Sequence, residues 1–302
     1  MSCLIYHYGK YEAVWFRPGL YQAGPNISTN AFGIKIQSTD INIIRSTMVA
    51  QAIDPRIPLI YYTDNFYLRS APLCNIRAWP GPKILVCGDL HHGDSPLETL
   101  ERYLRLEFFD AVLLLCNPSM LNQVRRMVAV PVRFLPPSFF KYESANRIPS
   151  PNPMLLHVGS IGAHHPHRKA IVEALISRKK IPFLHANTNT SLEAAQLYAS
   201  HAILLNIPLN NDLNHRIYEA MAAGVPQIIL GKDEILGDQE LLALRSDLMW
   251  VESMEEVEEV AAKLLAPPYP YKNIEVLPPP VWDMDLLLKA ALAPYRTRLG
   301  VY

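Results

Sequence analysis

Charged residues that could bind a ligand recur at helical spacing in the segment from Asn206 to Pro226. Asp212, Arg216 and Glu219 share one face of the predicted helix, because residues three or four apart are neighbours on a helix surface. An apolar stripe beside them predicts a buried face: Leu213, Ile217, Ala220 and Met221. Such a helix suits the rim of a parallel sheet, where α/β folds bind ligands. A solvent-exposed face with one Arg–Glu pair is the alternative interpretation.

The ends of this helix are also marked in the sequence. Asp212 is the predicted N-cap, because its carboxylate can accept hydrogen bonds from the free amides of a first turn. Gly224 stands where a left-handed residue commonly ends a helix, and Pro226 prevents the helix from continuing. The sequence therefore predicts a helix between Asp212 and Gly224, entered from an Asn-rich loop.

A glycine-containing turn, HVGSIGAHHPHRKA, joins a predicted strand to the next predicted helix. Gly159 and Gly162 allow the backbone to approach a ligand closely, and the start of the helix presents free amides to an anion. Arg168 and Lys169 lie in the first helical turn, where the helix dipole disfavours cations. An anion such as a diphosphate would offset this placement. A plain turn with exposed basic residues is the alternative.

A second polar loop, GDLHHGD, follows a predicted strand in the first half of the chain. It carries Asp89, His91, His92 and Asp94, and titratable residues at the carboxyl end of a strand are typical of α/β active sites. The loop is therefore a candidate catalytic site. The alternative is a polar loop in which Asp94 or Ser95 only caps the next helix.

Three histidines close to one another, His164, His165 and His167, raise the question of a metal site. Adjacent histidines on one loop usually cannot all point at one ion, and no nearby Cys or Asp completes a ligand set. We therefore predict no metal ion.

Alternation of buried strands and helices extends from Lys83 to the end of the chain and predicts parallel sheets covered on both faces. A proline-rich stretch without periodicity interrupts the alternation. We predict an α/β fold of two doubly wound, Rossmann-like domains facing one another across a cleft. The expected parts are residues 1–140, a linker over 141–152, residues 153–280, and a terminal helix over 281–302 that packs back on the first domain.

Two helices of the first domain carry explicit expectations about burial. Asp40 is predicted to cap a helix in which Ile43, Ile44 and Met48 face inward. A second helix is predicted to begin near Pro96, with four residues facing inward: Leu97, Leu100, Leu104 and Phe108.

The composition excludes several classes of function. Lys plus Arg equals Asp plus Glu, 28 each, so no overall charge favours nucleic acid or an anionic membrane. No apolar run reaches membrane-spanning length, and the N-terminus lacks the form of a signal peptide. The four cysteines, Cys3, Cys74, Cys87 and Cys116, lack ligand-like spacing and are expected to be reduced, buried thiols. We therefore expect a cytoplasmic protein without an integral membrane segment.

These motifs together resemble a known family. The segment LYASHAILLNIPLNNDLNHRIYEAMAAGVPQI resembles the donor-site segment of group 1 glycosyltransferases, and most closely the spore-maturation (CgeB-like) branch. That branch has a strand ending in Leu-Asn, here Leu205 and Asn206. A helix pattern follows, of which Asn214, Arg216 and Glu219 are members here. HVGS…HR resembles its turn, and FLPPSF resembles its interdomain crossover. The likeness is specific over about residues 152–232.

The resemblance implies a GT-B fold and a nucleotide-sugar donor, a UDP- or GDP-sugar, held mainly by the second domain. Glu219 would bind the ribose hydroxyls, because a carboxylate can accept two hydrogen bonds in one plane. Arg168 and the amides after Gly159 would bind the diphosphate, and Arg216 would brace the site. Ser160, Asn206 and Asn214 complete the implied donor site. His91 or His92, beside Asp89, would act near the transferred sugar.

Two departures from the group 1 pattern concern the sugar contacts. Asn211 replaces an acidic residue eight positions before Glu219, and Ser160 replaces an Arg or Lys after the turn glycine. Both agree with the CgeB-like branch.

The expected activity is transfer of a sugar to an acceptor that is a glycan, a lipid-linked molecule or a small molecule, without nucleic acid. The resemblance implies a metal-independent and retaining reaction with no cofactor besides the donor. Two alternatives stay open. One is a non-catalytic nucleotide-sugar-binding or scaffold protein, and the other is a GT-B nucleotide-sugar epimerase.

Overall fold

The computed structural model describes residues 2–8, 20–27, 35–88, 90, 95–115, 118–135, 137, 142–148, 152–163, 165–209, 212–232, 245–279 and 293. The chain divides into two compact units, of which one reaches Lys141 and the next starts at Tyr142. Each unit contains its own parallel sheet.

The first unit is built on a seven-stranded sheet in the order β3-β2-β1-β4-β5-β6-β7, and every described strand pair is parallel. Its strands are β1 (Cys3–Tyr6), β2 (Leu20–Ala23), β3 (Lys35–Ile36), β4 (Leu59–Thr63), β5 (Lys83–Cys87), β6 (Ala111–Leu114) and β7 (Val132–Phe134). Its helices are α1 (Ile41–Ala50), α2 (Asn65–Ser70), α3 (Pro96–Leu106) and α4 (Leu121–Met127). The strands β1, β4 and β6 are buried along their whole length, as expected of a parallel sheet covered on both faces.

Most of the predictions for helix α1 are confirmed, and one is wrong. Asp40 is the N-cap and accepts a hydrogen bond from the Asn42 amide. Ile41, Ile44 and Met48 are buried, whereas Ile43 is 54% exposed. The prediction that Ile43 faces inward is therefore wrong, because it lies one residue from Ile44, about 100° around the helix from the buried stripe.

Helix α3 also departs from its predicted pattern. It begins at Pro96 as expected and buries Leu100, with Leu97 and Leu104 partly buried against the core. The prediction for Phe108 is wrong, since the helix ends at Leu106 and Phe108 is 45% exposed under the Lys83 ammonium group.

The cysteines differ from one another. Cys3 and Cys87 are buried free thiols, as predicted. Cys74 is exposed, so the expectation of burial is wrong there. It follows the core residue Leu73 in a short connection that is bridged to Asp40, and its side chain is left at the surface. Cys116 lies outside the described residues, as do residues 89 and 91–94 of the predicted polar loop.

The second unit has a five-stranded parallel sheet in the order β12-β11-β10-β8-β9. The strands are β8 (Leu155–Val158), β9 (Phe183–Ala186), β10 (Ile203–Asn206), β11 (Gln227–Leu230) and β12 (Leu248–Val251). The helices are α5 (Pro166–Arg178), α6 (Ser191–Ser200), α7 (His215–Ala222) and α8 (Met254–Leu265). Apolar side chains from opposite faces of β8 and β10 enter two separate core clusters, so helices cover the sheet on both sides.

The strand order of the second sheet reverses between β8 and β10. The chain runs outward from β8 to β9 and then returns to β10 on the other side of β8. In doubly wound sheets a crevice forms at the carboxyl ends of the strands where the order reverses. The residues that follow Val158 and Asn206 stand at this point.

Helix α7 starts later than the sequence predicts. Its N-cap is Asn214, whose side chain makes no capping hydrogen bond, so the prediction of Asp212 as N-cap is wrong. Asp212 is buried, and its backbone amide donates to the Leu209 carbonyl in a turn before the helix. The other end is as predicted: Gly224 has φ +68° and Pro226 follows before β11.

The described residues from 142 to 148 contain no helix or strand but are bound to the second unit. The Tyr142 hydroxyl lies 2.8 Å from His215 Nδ1. Arg147 donates to the carbonyls of Gly224 and Ala202 at 3.1 and 3.0 Å. Gly224 follows α7 and Ala202 precedes β10, so neither carbonyl is paired within its helix or strand. The Arg147 guanidinium supplies the missing hydrogen-bond donors.

Two parallel sheets, each with its own helices, confirm the predicted α/β class with two Rossmann-like, doubly wound units. In the described part of the chain, no helix is long and apolar enough to cross a membrane. The terminal helix predicted over 281–302 falls outside the described residues, apart from Ala293.

Candidate functional site

The turn after β8 brings a guanidinium directly onto the backbone. Gly159 has φ +134°, a conformation that residues with a side chain rarely adopt. A Cβ at this position would overlap the Nη2 atom of Arg216, which comes from the first turn of α7. Glycine is therefore needed here both for the backbone angle and for the approach of Arg216.

Arg168 joins the ends of the two strands at the reversal point. It lies in the first turn of α5 and is 6% exposed. Its Nε and Nη2 donate to the Ile207 carbonyl at 3.3 and 3.0 Å, and its Nη1 donates to the Ser160 carbonyl at 3.3 Å. Burial, and secondly the nearby charge of Arg216, lower the pKa of Arg168 to about 10. Three of its donor contacts are thus already made to the backbone.

A pair of amide side chains fixes α7 to the end of β10. Asn206 Nδ2 donates to Asn214 Oδ1 at 3.2 Å, and Asn214 Nδ2 donates to Asn206 Oδ1 at 3.1 Å. Asn206 is fully buried, so the pair satisfies polar groups that would otherwise be costly to bury. This reciprocal contact positions the first turn of α7, and with it Arg216.

Glu219 lies one turn after Arg216 and is held from α6. The buried Tyr198 hydroxyl donates to Glu219 Oε2 at 3.0 Å. Burial, and then the Glu219 charge, raise the pKa of Tyr198, so that it remains a donor. Glu219 Oε1 has no hydrogen bond to any residue in the described ranges. One carboxylate oxygen is therefore anchored and the other can accept from a ligand.

Two histidines that the sequence analysis did not single out lie beneath the turn. His157 in β8 pairs in register with His185 in β9, and their rings stack with centroids 5.8 Å apart. His185 Nε2 lies 2.9 Å from the Gly159 carbonyl, and His157 Nδ1 lies 2.9 Å from the Leu205 carbonyl. The sequence could have indicated both, because each histidine interrupts a short apolar strand (LLHV and FLHA). A polar side chain in such a strand is costly to bury unless it forms a hydrogen bond.

His157 stays neutral in this environment. It is fully buried, and desolvation followed by the charge of Arg216 lowers its pKa to about 3. A carbonyl can only accept, so Nδ1 carries the proton and Nε2 is left as an acceptor. His157 Nε2 is buried without a hydrogen-bond partner in the described structure.

The Nε atom of Arg216 is likewise buried and without a partner among the residues that the structure describes. Arg216 also lacks an ion pair there, although it lies close enough to Tyr198 to affect its pKa. Arg168 and Arg216 lie close enough to repel one another, and Asp212 is the acidic group acting on Arg168. Guanidiniums beside a helix N-terminus favour binding of an anion.

The predicted donor-site residues are therefore brought together: Gly159, Ser160, Arg168, Asn206, Asn214, Arg216 and Glu219 all lie at this reversal point or in its bracing contacts. The predicted catalytic residues Asp89, His91 and His92 lie outside the described residues. Of the three clustered histidines, His164 is also outside them, whereas His167 is exposed. No group of three His, Cys, Asp or Glu side chains suited to a metal ion occurs in the ranges that the structure describes.

Comparison with known proteins identifies one part of the chain. Residues 158–271 match a family model described as Glycosyl transferase-like. The match begins at the last residue of β8 and includes Gly159, Arg168, Arg216 and Glu219. The sequence has no significant match among curated proteins.

Solved structures resemble the chain at low identity. Sucrose-phosphate synthase from Thermosynechococcus elongatus is 11% identical with a TM-score of 0.55, and the alignment covers 100% of each chain. The Glycosylation Associate Protein complex from Streptococcus agalactiae is 12% identical with a TM-score of 0.47, covering 86% of this chain and 58% of that one. TarM is 8% identical with a TM-score of 0.48, covering 74% and 51%. The chain thus spans just over half of the length of the latter two. Residues 158–271 are thus similar to the Glycosyl transferase-like family, and the fold of the chain resembles that of sucrose-phosphate synthase.

Proposed function

We propose that this protein transfers a glycosyl group from a nucleotide-diphosphate sugar, a UDP- or GDP-sugar, to an acceptor. The observation that carries the proposal is the placement of Arg216 on the Gly159 turn, with buried Nε unpartnered among the described residues and Glu219 one turn away. A diphosphate needs cationic donors, and a ribose diol needs an acceptor nearby. This combination occurs where doubly wound folds bind nucleotides.

The contacts favour a division of labour between the two arginines that differs from the one implied by sequence resemblance. Arg168 donates hydrogen bonds to the carbonyls of Ser160 and Ile207, as expected of a residue that braces the turn. Arg216 makes no such contacts in the described structure, so it is the better candidate to bind the diphosphate. Arg168 still contributes its charge at short range.

The proposed chemistry is electrostatic. As the bond between the sugar and the diphosphate breaks, negative charge develops on the leaving group, and a fixed guanidinium stabilises it without reorganisation. Glu219 orients the ribose through the oxygen that Tyr198 leaves free. We infer that the reaction is retaining, and that His91 or His92 of the first unit, beside Asp89, acts near the transferred sugar.

Calorimetric titration with UDP and GDP tests the donor site directly. Glu219→Ala should weaken binding of the preferred nucleotide by about 1.5–3 kcal/mol, the range for hydrogen bonds to a charged group. Arg216→Ala should weaken it by a similar amount, whereas Lys169→Ala is the matched control, because Lys169 is exposed and near Glu173. Nucleotide affinity that is unchanged in folded Glu219→Ala and Arg216→Ala variants would remove this cluster from the site.

Activity assays separate transfer from the alternatives. Donor consumption that depends on an acceptor supports transfer, whereas binding without turnover supports a non-catalytic role and donor isomerisation supports an epimerase. We expect turnover to survive excess EDTA, since guanidiniums supply the charge that a divalent ion would supply elsewhere. Loss of turnover with EDTA and rescue by Mg²⁺ or Mn²⁺ would contradict this part of the proposal.

A further inference from the structure

A groove of about 420 Å³ in the first unit lies between α2 and the amino-terminal half of α3. Five polar side chains among the described residues line it: Arg69, Ser95, Glu98, Thr99 and Arg102. Helix α3 follows β5, so its start lies at the carboxyl end of the first sheet. This is the edge at which α/β folds bind ligands, and nothing in the donor site uses it.

One of the two arginines is held in place by the wall of the groove. Arg69 Nε donates to the Thr99 hydroxyl at 3.2 Å, and that hydroxyl donates to the Ser95 carbonyl at 3.0 Å. Thr99 is 6% exposed, so the anchoring hydroxyl is part of the packed structure. The Nη groups of Arg69 have no hydrogen bond in the described structure and remain able to donate. An anchored guanidinium loses little conformational entropy when it binds a second acceptor.

Arg102 lacks the ion pair that its position allows. Glu98 stands four residues before it, which is the favourable spacing for a helical Glu–Arg pair. The equivalent pair on the neighbouring face, Glu101 and Arg105, is formed at 2.5 Å. Neither Arg69 nor Arg102 has an ion-pair partner among the residues that the structure describes. The groove therefore contains two available cations and one carboxylate.

Ser95 adds further donors at the groove. It is the N-cap residue of α3, an eleven-residue helix, yet its side chain makes no capping hydrogen bond. Its hydroxyl is thus available to a ligand, and so are first-turn amides that a cap would otherwise occupy. Together with the two arginines they form a set of donors suited to a tetrahedral anion.

We propose that this groove binds a phosphorylated, hydroxyl-bearing small molecule, and that this molecule is the acceptor of the transfer. Arg69 and Arg102 bind the phosphate, while Glu98 accepts hydrogen bonds from hydroxyl groups. The assignment as acceptor rests on the proposed function. In that step the acceptor hydroxyl oxygen forms a bond to the anomeric carbon, the bond from that carbon to the diphosphate breaks, and the hydroxyl proton passes to the nucleoside diphosphate.

Calorimetric titration of the full chain with glucose 6-phosphate tests the groove. We expect binding of glucose 6-phosphate, no binding of glucose, and at least tenfold weaker binding in Arg69→Ala and Arg102→Ala. Arg105→Ala is the matched control, because it removes an arginine of the same helix that is already paired. Absence of glucose 6-phosphate binding, or an equal loss in Arg105→Ala, would overturn the proposal. Binding to phosphatidate vesicles but not to glucose 6-phosphate would overturn the choice of a small molecule.

A parallel titration with UDP and GDP keeps the two proposals separate. We expect Arg69→Ala and Arg102→Ala to bind nucleotide as tightly as the unmodified chain. If nucleotide binds and glucose 6-phosphate does not, the groove proposal fails and the donor site stands. If glucose 6-phosphate binds and no nucleotide does, the phosphate groove stands, but the donor site and the acceptor role fail.

Discussion

Each sheet has a fully buried histidine on or next to its first strand, and the two histidines differ in how they are satisfied. His7 follows β1 of the first unit, and its Nε2 lies 2.8 Å from Gln22 Oε1. His157 lies in β8 of the second unit, where Nδ1 has a backbone partner but Nε2 has none among the described residues. The first histidine therefore has a side-chain partner at Nε2, whereas the second leaves the same atom without one among the described residues.

The surroundings of the two histidines extend this difference. Beyond β1, the Tyr8 and Tyr61 hydroxyls lie 2.6 Å apart, and Tyr8 also donates to the Ala71 carbonyl. Beyond β8 stand Arg168 and Arg216, which repel one another. Polar groups that satisfy one another stabilise a fold, whereas a buried polar group left unsatisfied needs a ligand or another function to explain it. The carboxyl edge beyond β8 thus carries the cations of a candidate anion site, whereas the groups described around His7 are hydrogen-bonded to one another.

The largest expected effect is a loss of stability when Arg168, which braces the turn, is replaced. The same replacement of Arg216 serves as the comparison. Arg168→Ala removes donors from two carbonyls, so we expect a loss of about 3 kcal/mol in the free energy of unfolding. Arg216→Ala should cost less than about 1 kcal/mol, because it donates to no described backbone carbonyl and Tyr198, which it contacts, still donates to Glu219. Denaturant titration of both variants measures this. Equal destabilisation would mean that Arg216 is also structural, and the contrast between the two edges would fail.

The two glycines with positive φ in the second unit offer a sharper test. Gly159→Ala should displace Arg216 and weaken nucleotide binding about 30-fold, or about 2 kcal/mol. Gly224→Ala places a side chain in the left-handed region, at φ +68° and a cost of about 1 kcal/mol, and meets no atom within 4 Å. Its nucleotide affinity should therefore stay close to that of the unmodified chain. Calorimetry on both variants distinguishes displacement of Arg216 from strain alone, and a similar loss in both would attribute the effect to strain.

The buried His157 predicts a specific pH dependence of stability. Its folded pKa of about 3 lies below the ordinary value of about 6.5, so between these values the unfolded chain binds a proton that the folded chain does not. Stability is therefore lost as pH falls below about 6.5, by about 2 kcal/mol at pH 5 from this group. His157→Gln should remove that part of the slope. Denaturant titrations from pH 7.5 to 5 measure it, and parallel curves for variant and unmodified chain would show that His157 is not the cause.

The smallest expected effect concerns the loop after β5. His91→Ala or His92→Ala should lower turnover at least tenfold for one of the two, about 1.4 kcal/mol of transition-state stabilisation. Nucleotide affinity should remain unchanged, because the proposed donor site lies in the other unit. Steady-state kinetics with nucleotide titration tests both statements. Normal turnover in both variants would leave the loop as a helix cap, and loss of nucleotide binding would contradict the division between the units.

Much of the fold could be predicted because its signals are local. Buried strands such as β5 and β10 are short apolar runs, and α7 ends where Gly224 and Pro226 require it. Errors arose where local patterns leave several options. The start of α7 moved from Asp212 to Asn214 because Asp212 is instead buried in the preceding turn. Ile43 and Phe108 were misplaced because an apolar residue next to a buried stripe is often left exposed.

The sequence by itself determined the α/β class, the order of most described elements and the set of residues near the candidate donor site. Only the tertiary structure decided what each of those residues can do. Arg168 and Arg216 both lie near helix starts. Arg168 donates to two backbone carbonyls, whereas the guanidinium of Arg216 lies against Gly159. The reason is physical: the carbonyls that Arg168 meets are 39 and 8 residues away in the chain. Contacts over such separations are set by strand order and packing, which a local pattern does not encode.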